Sequence, residues 1–395
     1  MRLATFTHYA ELYGANRSLL EMLLELRAQG AVEPLVILPK EGPLTERLTQ
    51  ESIPFRIALF EPWMSERYYG GRLHHHIAQW IRHTRAANKR RTGSTKALEN
   101  VLPILRDWKP DLIHSNSLAV SIGWKAAASL ALPHVWHARE FPEQHYGLTY
   151  DAGRAAYGRA LRSANRVVAI SNALKEDLLD HGVKTDRIDV VPNGVFRATT
   201  YASLAQRERR ADPSVFTFFQ MGLLHPSKGQ TETIRALALV REKRPEARLI
   251  IAGTGRDRDL LAAIIRTKQQ EAVELPGYVE DPISLMLRCD AFVSASRWEA
   301  FGRAMVEAMA CRLPVIGHAS GGTPEIVEDG VTGLLYKKDE RDLSAAMLKL
   351  MDNRDAARAM GERGHIAARH HYTVETSAQA FKRTLEQALQ KALAP

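Results

Sequence analysis

Short apolar runs of strand-forming residues alternate with longer segments of helical spacing along most of the chain, and the alternation runs through twice. No other feature constrains the fold as much, because strand, helix and strand in succession build a parallel sheet covered by helices. In the first half, strands are expected at 3–7, 35–38, 55–59, 112–115, 134–137, 167–170 and 188–191. A helix over 16–29 puts Leu19, Leu20, Leu23 and Leu26 on one face and stops at Gly30. A polar, charge-dense stretch over 196–213, with Arg207, Glu208, Arg209 and Arg210, reads as a linker. Strands then recur at 215–220, 248–252, 273–275, 291–295 and 314–316, followed by helices to the end. The last helix, from about residue 374, repeats Phe381, Leu385 and Leu389 at four-residue spacing and requires an apolar surface to cover. The expected organisation is a Rossmann-like domain over 1–195, the linker, a second Rossmann-like domain over 214–373 and a terminal helix over 374–395.

Charge narrows the partners. The 54 Lys and Arg against 45 Asp and Glu leave +9, which calls for an anionic partner. The excess is local: residues 61–110 hold ten basic and four acidic side chains, with Trp63, Tyr68, Tyr69, Trp80 and Trp108 among them. Leu73, Ile77, Trp80, Ile81 and Thr84 recur at three- and four-residue intervals beside Arg72, Arg82, Arg85 and Lys89, the pattern of a basic amphipathic helix. A nucleic-acid binder is disfavoured, since carboxylates are interleaved elsewhere and no known reader motif occurs. Cys289 and Cys311 have neither the number for a disulfide framework nor the spacing of a paired-thiol site. With an N-terminus too polar for a secretory signal and no uncharged apolar run of spanning length, a cytoplasmic chain is expected.

Open parallel sheets bind ligands at the carboxyl ends of their strands, so the loops there hold the candidates. After the first strand, Tyr13, Gly14, Ala15, Asn16 and Arg17 lead into a helix whose free N–H groups suit an anion, a tight turn being the plainer reading. His137 is followed by Ala138, Arg139 and Glu140, a histidine beside a cation and a carboxylate, or else a structural histidine at a strand end. In the second half, the loop from Met221 to Gly229 offers Lys228 just before a helix, as a point charge for phosphate. The loop lacks triphosphate-loop spacing, and Gly253, Thr254 and Gly255 are followed by Arg258 where a dinucleotide fingerprint needs glycine. Both absences weigh against an NTPase and a dehydrogenase.

The loop over 296–309 says most. Glu299 precedes a helix and Glu307 lies eight residues on, within roughly 80° of the same face and about 12 Å along the axis. Two such carboxylates can hold two ends of one ligand but cannot share a proton, which weighs against direct hydrolysis by an acid and base within about 10 Å of each other. The plainer reading is a capping and a solvated glutamate, yet Glu307 lies among Ala304, Met305, Val306, Ala308 and Met309, where burial is costly without a partner.

The segment from Glu299 through Phe301, Gly302 and Arg303 to Glu307 resembles the E-x7-E signature of the retaining family 4 glycosyltransferases. Ala169 to Asn172, Val191 to Gly194, Ser227 to Gly229, Ile251 to Gly255, Pro276 to Val279 and Gly321 to Val327 follow in the family's order. The resemblance covers nearly the whole chain and is thin over 40–110. It implies an α/β chain of the GT-B fold: two Rossmann-like domains facing across a cleft, with the C-terminal helix returning to the N-domain. It also implies transfer of a sugar, with retention at the anomeric carbon, from a nucleotide-diphosphate sugar to a hydroxyl, without metal or cofactor. By that similarity Glu307 holds the ribose hydroxyls and Glu299 the transferred sugar. Peptide N–H groups around Phe301, Gly302 and Arg303 hold sugar and phosphate oxygens. Lys228 neutralises the leaving diphosphate, which Gly14 and its helix approach from the other domain, and Val279 touches the base through its backbone. His137 matches a histidine near the donor sugar.

Two positions depart from the pattern. Leu223 stands where the family often has arginine, leaving Lys228 alone or helped by Arg303 or Arg17, and Tyr13 stands where the first of two glycines is usual. The basic segment falls in the acceptor half, so it is expected to dock on the anionic inner membrane face, to grip an anionic acceptor such as a lipid-linked diphosphate or phosphorylated lipopolysaccharide core, or to form a solvated covering helix. Cell-surface polysaccharide or lipopolysaccharide synthesis is the implied setting. A sugar-nucleotide epimerase or a disaccharide phosphorylase or synthase of the same fold, and a non-catalytic binding protein, are the competing readings.

Overall fold

The computed structural model describes the chain except residues 67–72, 210, 268–270 and 394–395, and leaves the side chains of 73–80 and 391–393 undescribed. Arg67, Tyr68, Tyr69, Arg72 and Arg210, and the side chains of Leu73, Ile77 and Trp80, therefore lie outside the described residues. The chain divides into two compact units, residues 1–194 with 374–395, and residues 195–373.

The first unit is built on a seven-stranded parallel sheet. Its spatial order is Phe55–Ile57, Glu33–Leu38, Arg2–Phe6, Leu112–Ser115, His134–Ala138, Arg166–Ala169 and Ile188–Val190. Successive residues of a strand point to opposite faces, and here both faces are covered. Leu3, Val36, Leu38, Leu112, Val135 and Val168 enter one apolar core, while Ala4, Phe6, Leu35, Ile37 and Ile113 enter the other. Helix Gly14–Ala28 buries Leu19, Leu20, Leu23 and Leu26 in the first core, as its spacing requires.

Helix Val374–Leu393 returns to this unit and closes the same core with Ala378, Phe381, Leu385 and Ala388, packing on helix Gly14–Ala28. Burial of Phe381 and Leu385 contributes about 2–3 kcal/mol each. Helix Leu73–Trp108 occupies much of the basic segment. Ile81 and Thr84 of the expected apolar face are solvent-facing, and the helix is anchored further on by Ala97, Val101 and Leu105 in the second core. The bidentate pair of Arg90 with Asp151 ties its middle to the loop after Leu148–Tyr150.

The second unit holds a six-stranded parallel sheet, in spatial order Val273–Gly277, Ala247–Ala252, Phe216–Met221, Ala291–Ser294, Val315–His318 and Gly333–Tyr336. The last strand falls where only helices were expected, because three apolar residues after a glycine give too short a run to show a period. The antiparallel pair Met64–Glu66 and Leu148–Tyr150 was equally invisible, three residues each and half polar. The stretch 196–213 is more than a linker: it contains helix Ala198–Gln206, whose buried Tyr201 donates to the Tyr372 carbonyl at 3.3 Å. No described helix is long and apolar enough to cross a membrane.

Three histidines lie inside the first sheet. His114 contacts Thr5 Oγ1 at 3.3 Å, His134 contacts Ser115 Oγ at 2.9 Å, and neither His137 nitrogen has a hydrogen-bond partner among the described residues. Burial holds all three below the usual value of 6.5, His134 at about 3, and the nearby Arg139 guanidinium presses His114 and His137 the same way. The unfolded chain therefore binds more protons than the folded one below pH 6.5. Stability is complete above that pH and is lost as pH falls, by up to about 1.4 kcal/mol per unit for each histidine. Urea unfolding should show a midpoint markedly lower at pH 5 than at pH 7.5, and His137→Leu should flatten that dependence; an equal fall in the variant would contradict it.

Candidate functional site

In each sheet the strand order reverses beside the unit's first strand, and ligands bind outside the carboxyl ends at such a reversal. In the second unit that point lies between Phe216–Met221 and Ala291–Ser294. The loops leaving these two strands carry Lys228 and Glu299, and the structure brings them together: Lys228 Nζ donates to Glu299 Oε2 at 2.7 Å, with both side chains largely buried.

The backbone beneath them is closely fitted. Gly229 has φ +67°, and a Cβ there would collide with the Ala295 carbonyl oxygen, so only glycine lets the two loops meet. Gln220 Nε2 donates to the Lys228 carbonyl at 2.8 Å, and Ser296 Oγ to that of Ser227 at 3.0 Å. Glu299 is held from the other side. Its carbonyl accepts from Gly322 N at 2.7 Å, and Gly321, at φ +56°, leaves no space for a side chain against the same carbonyl. Trp298, itself at φ +60° and half-exposed, donates its N–H to Ser320 Oγ at 3.1 Å. A bulky residue holds a left-handed backbone only where its surroundings impose it.

Glu307 lies in helix Arg303–Ala310, which starts after Gly302, and is 4% exposed. Its burial among apolar residues is compensated by Arg303, whose Nε donates to Glu307 Oε1 at 2.9 Å while Nη2 donates to the Val195 carbonyl at 3.0 Å. The Arg303 guanidinium, considered above as a second diphosphate cation, is thus engaged by Glu307 and the backbone. Phe301 is buried beside the ring of Tyr372, and Val279 is half-buried just beyond strand Val273–Gly277.

Two family models together span most of the chain: residues 205–366 match glycosyl transferases group 1, and residues 13–198 match glycosyltransferase family 4. Each half of the chain is thus similar to a glycosyltransferase family model. A D-inositol 3-phosphate glycosyltransferase of Pseudarthrobacter chlorophenolicus is 31% identical to this chain over 188 residues, 45% of each chain. A GDP-mannose-dependent monoacylated alpha-(1-6)-phosphatidylinositol monomannoside mannosyltransferase of Corynebacterium glutamicum is 35% identical over 157 residues, 37% of this chain and 41% of the relative. The chain thus spans about half the length, or less, of these curated relatives. The solved structure of Anabaena HepE in complex with UDP and glucose has a TM-score of 0.77 at 23% identity, covering 98% of this chain and 99% of that one. That likeness is one of fold, and with the two parallel-sheet units it places the chain in the GT-B class.

In the first unit Gly14 opens helix Gly14–Ala28, whose first turn has no acidic residue, and the buried Asn16 shapes the preceding loop by donating to the carbonyls of Tyr9 and Glu11. His137 stands at the carboxyl end of its strand and is buried there. It is 1% exposed and packs against His114 and Phe381 of the C-terminal helix, because it shares the strand face of Val135 and points into the first core. The carboxyl edge is organised by Arg139, which donates to Asn116 Oδ1 at 2.9 Å and to Asn193 Oδ1, and by Glu140, which accepts from Ser117 Oγ at 2.6 Å and Leu118 N at 2.9 Å. Alternation counted along 134–138 could have shown that His137 shares the face of Val135; nothing in the sequence pointed to Asn116.

Replacing Gly229 by alanine should lower stability by about 1–3 kcal/mol and displace Lys228 from Glu299. Thermal unfolding checks the first effect, and unaltered stability would show that the Ala295 contact yields.

Proposed function

We propose that this chain moves a sugar, with retention, from a nucleotide-diphosphate sugar to a hydroxyl of a glycan or lipid-linked acceptor. The observation that carries the reading is the placement of two carboxylate–cation pairs, Lys228 with Glu299 and Arg303 with Glu307, along one loop and helix at the strand-order reversal. The UDP and glucose named for Anabaena HepE and the GDP-mannose dependence of the Corynebacterium relative support a nucleotide sugar as donor.

In this reading the glycosidic bond between the anomeric carbon and the diphosphate oxygen breaks, and the acceptor oxygen bonds to the same face. The acceptor proton passes to the leaving phosphate. Lys228 has three N–H donors, so it can keep Glu299 while donating to phosphate oxygens as their negative charge grows. Glu299 accepts from hydroxyls of the transferred sugar, Glu307 from those of the ribose, and the peptide N–H groups of Phe301, Gly302 and Arg303 face sugar and phosphate oxygens. The Val279 backbone meets the base, and the open first turn after Gly14 offers N–H groups to an anion. With Arg303 engaged elsewhere and Leu223 apolar, Lys228 bears the diphosphate charge in this unit. The solvent-facing Arg82, Arg85 and Lys89 support an anionic group on the acceptor, as in a lipid-linked glycan for cell-surface polysaccharide.

A thermal-shift series with UDP, GDP, ADP, dTDP and CMP should give one base that raises the unfolding temperature, because a ligand of the native state stabilises it. Glu307→Ala should abolish that rise. With the donor so identified, Lys228→Ala should lower turnover at saturating donor by about 100-fold or more. Absence of any shift, or near-normal turnover, would overturn the reading.

A further inference from the structure

The chain passes between its two units twice, after Gly194 and after Thr373. On the second unit's side the two passages are joined to one another: Val195 N donates to the Tyr372 carbonyl at 2.9 Å, and Phe196 bridges Thr373 in parallel. The segment carrying Glu299 and Glu307 holds this joined pair through Arg303 and Phe301, and helix Thr323–Ile326 adds a third contact. Arg303 Nη2 donates to the Val195 carbonyl at 3.0 Å, the Phe301 ring meets that of Tyr372 edge-on at 5.4 Å, and Tyr372 Oη donates to the Glu325 carbonyl at 3.0 Å. Arg303 is the contact that also reaches the carboxylate. Its Nε donates to Glu307 Oε1 at 2.9 Å, and among the described residues it is the hydrogen-bond partner of that carboxylate.

We propose that Arg303 is a positioning residue that couples ligand binding at Glu307 to the paired crossover segments at Val195 and Tyr372. A guanidinium is a rigid plane, so a shift of the Glu307 oxygen moves the donor that holds the Val195 carbonyl. The carboxylate can accept at both oxygens, which lets Arg303 keep Oε1 while Oε2 takes hydroxyl donors. An incoming ribose therefore tightens one end of a three-membered chain, Glu307, Arg303 and Val195, whose other end is the backbone joining the units. Lysine cannot replace it, since a single nitrogen does not present two donors along one edge. The proposal rests on the reading of Glu307 as the nucleoside carboxylate.

The test uses the full chain and the nucleoside diphosphate that binds best by calorimetry. Hydrogen exchange of peptides containing Val195–Phe196 and Tyr372–Val374 is followed with and without it. In the wild type, saturation should slow exchange in both peptides. In Arg303→Gln and Arg303→Lys the nucleotide should still bind, within about tenfold of wild type, while the added protection disappears. Circular dichroism establishes that each variant is folded, and Arg303→Lys, which keeps the charge, serves if Arg303→Gln is not. Full protection in a folded variant, or wild-type binding that leaves both peptides unchanged, overturns the coupling and leaves the donor site standing. Failure of every nucleotide to bind the wild type overturns the donor reading and the coupling with it.

Discussion

The carbonyl oxygens of Ala295 and Glu299 come so close to the chain at Gly229 and Gly321 that neither position can carry a side chain. The rest of the site depends on this approach. It lets the loop after Phe216–Met221 and the loop after Ala291–Ser294 lie against each other where the strand order reverses, and so puts an ammonium against a carboxylate at 2.7 Å. Glycine's backbone freedom is thus used to bring charge to a point the sheet has already selected. Parallel strands set the place, and two missing side chains set the distance.

Much of the fold could be read from the chain because parallel strands covered on both faces are nearly continuous apolar runs, and helices that cover them show a single apolar stripe. Glu33–Leu38 and helix Gly14–Ala28 are both of this kind. Gly333–Tyr336 and the pair Met64–Glu66 with Leu148–Tyr150 escaped because three or four residues carry no period, and their pairing is fixed by neighbours far away in sequence. The helix inside 196–213 was hidden by the charge around it. Arg209 explains why: its guanidinium donates to the carbonyls of Cys289 and Arg312, so a charged residue there serves packing rather than solvent.

The candidate site was legible in part for the same reason. Lys228 and Glu299 sit after strands, in loops that a parallel sheet makes into ligand positions, Glu307 sits in the helix that follows, and the spacing of the two glutamates survives as two separate ion pairs. The position of His137 at a strand end was legible, but its burial was not: it shares a strand face with Val135, and the C-terminal helix lies over it through Phe381. The four-residue spacing of Arg303 and Glu307 could have suggested their pairing, but the bond to the Val195 carbonyl joins positions far apart in the chain and no pattern shows it.

Arg303 also alters what the missing cation at Leu223 means. A buried carboxylate requires a counter-charge, and this chain supplies it four residues earlier on the same helix, leaving that guanidinium no role as a free anion receptor. Lys228 is also paired, but through an ammonium that can hold Glu299 and still donate to another oxygen. The two pairs look alike and behave differently: one fixes a carboxylate in place, and the other keeps a cation ready for added negative charge. Of these two cations, Lys228 is the one ready to respond to an arriving anionic ligand. The chain's net positive charge has little bearing on that encounter, since so much of it lies within residues 61–110, in the other unit.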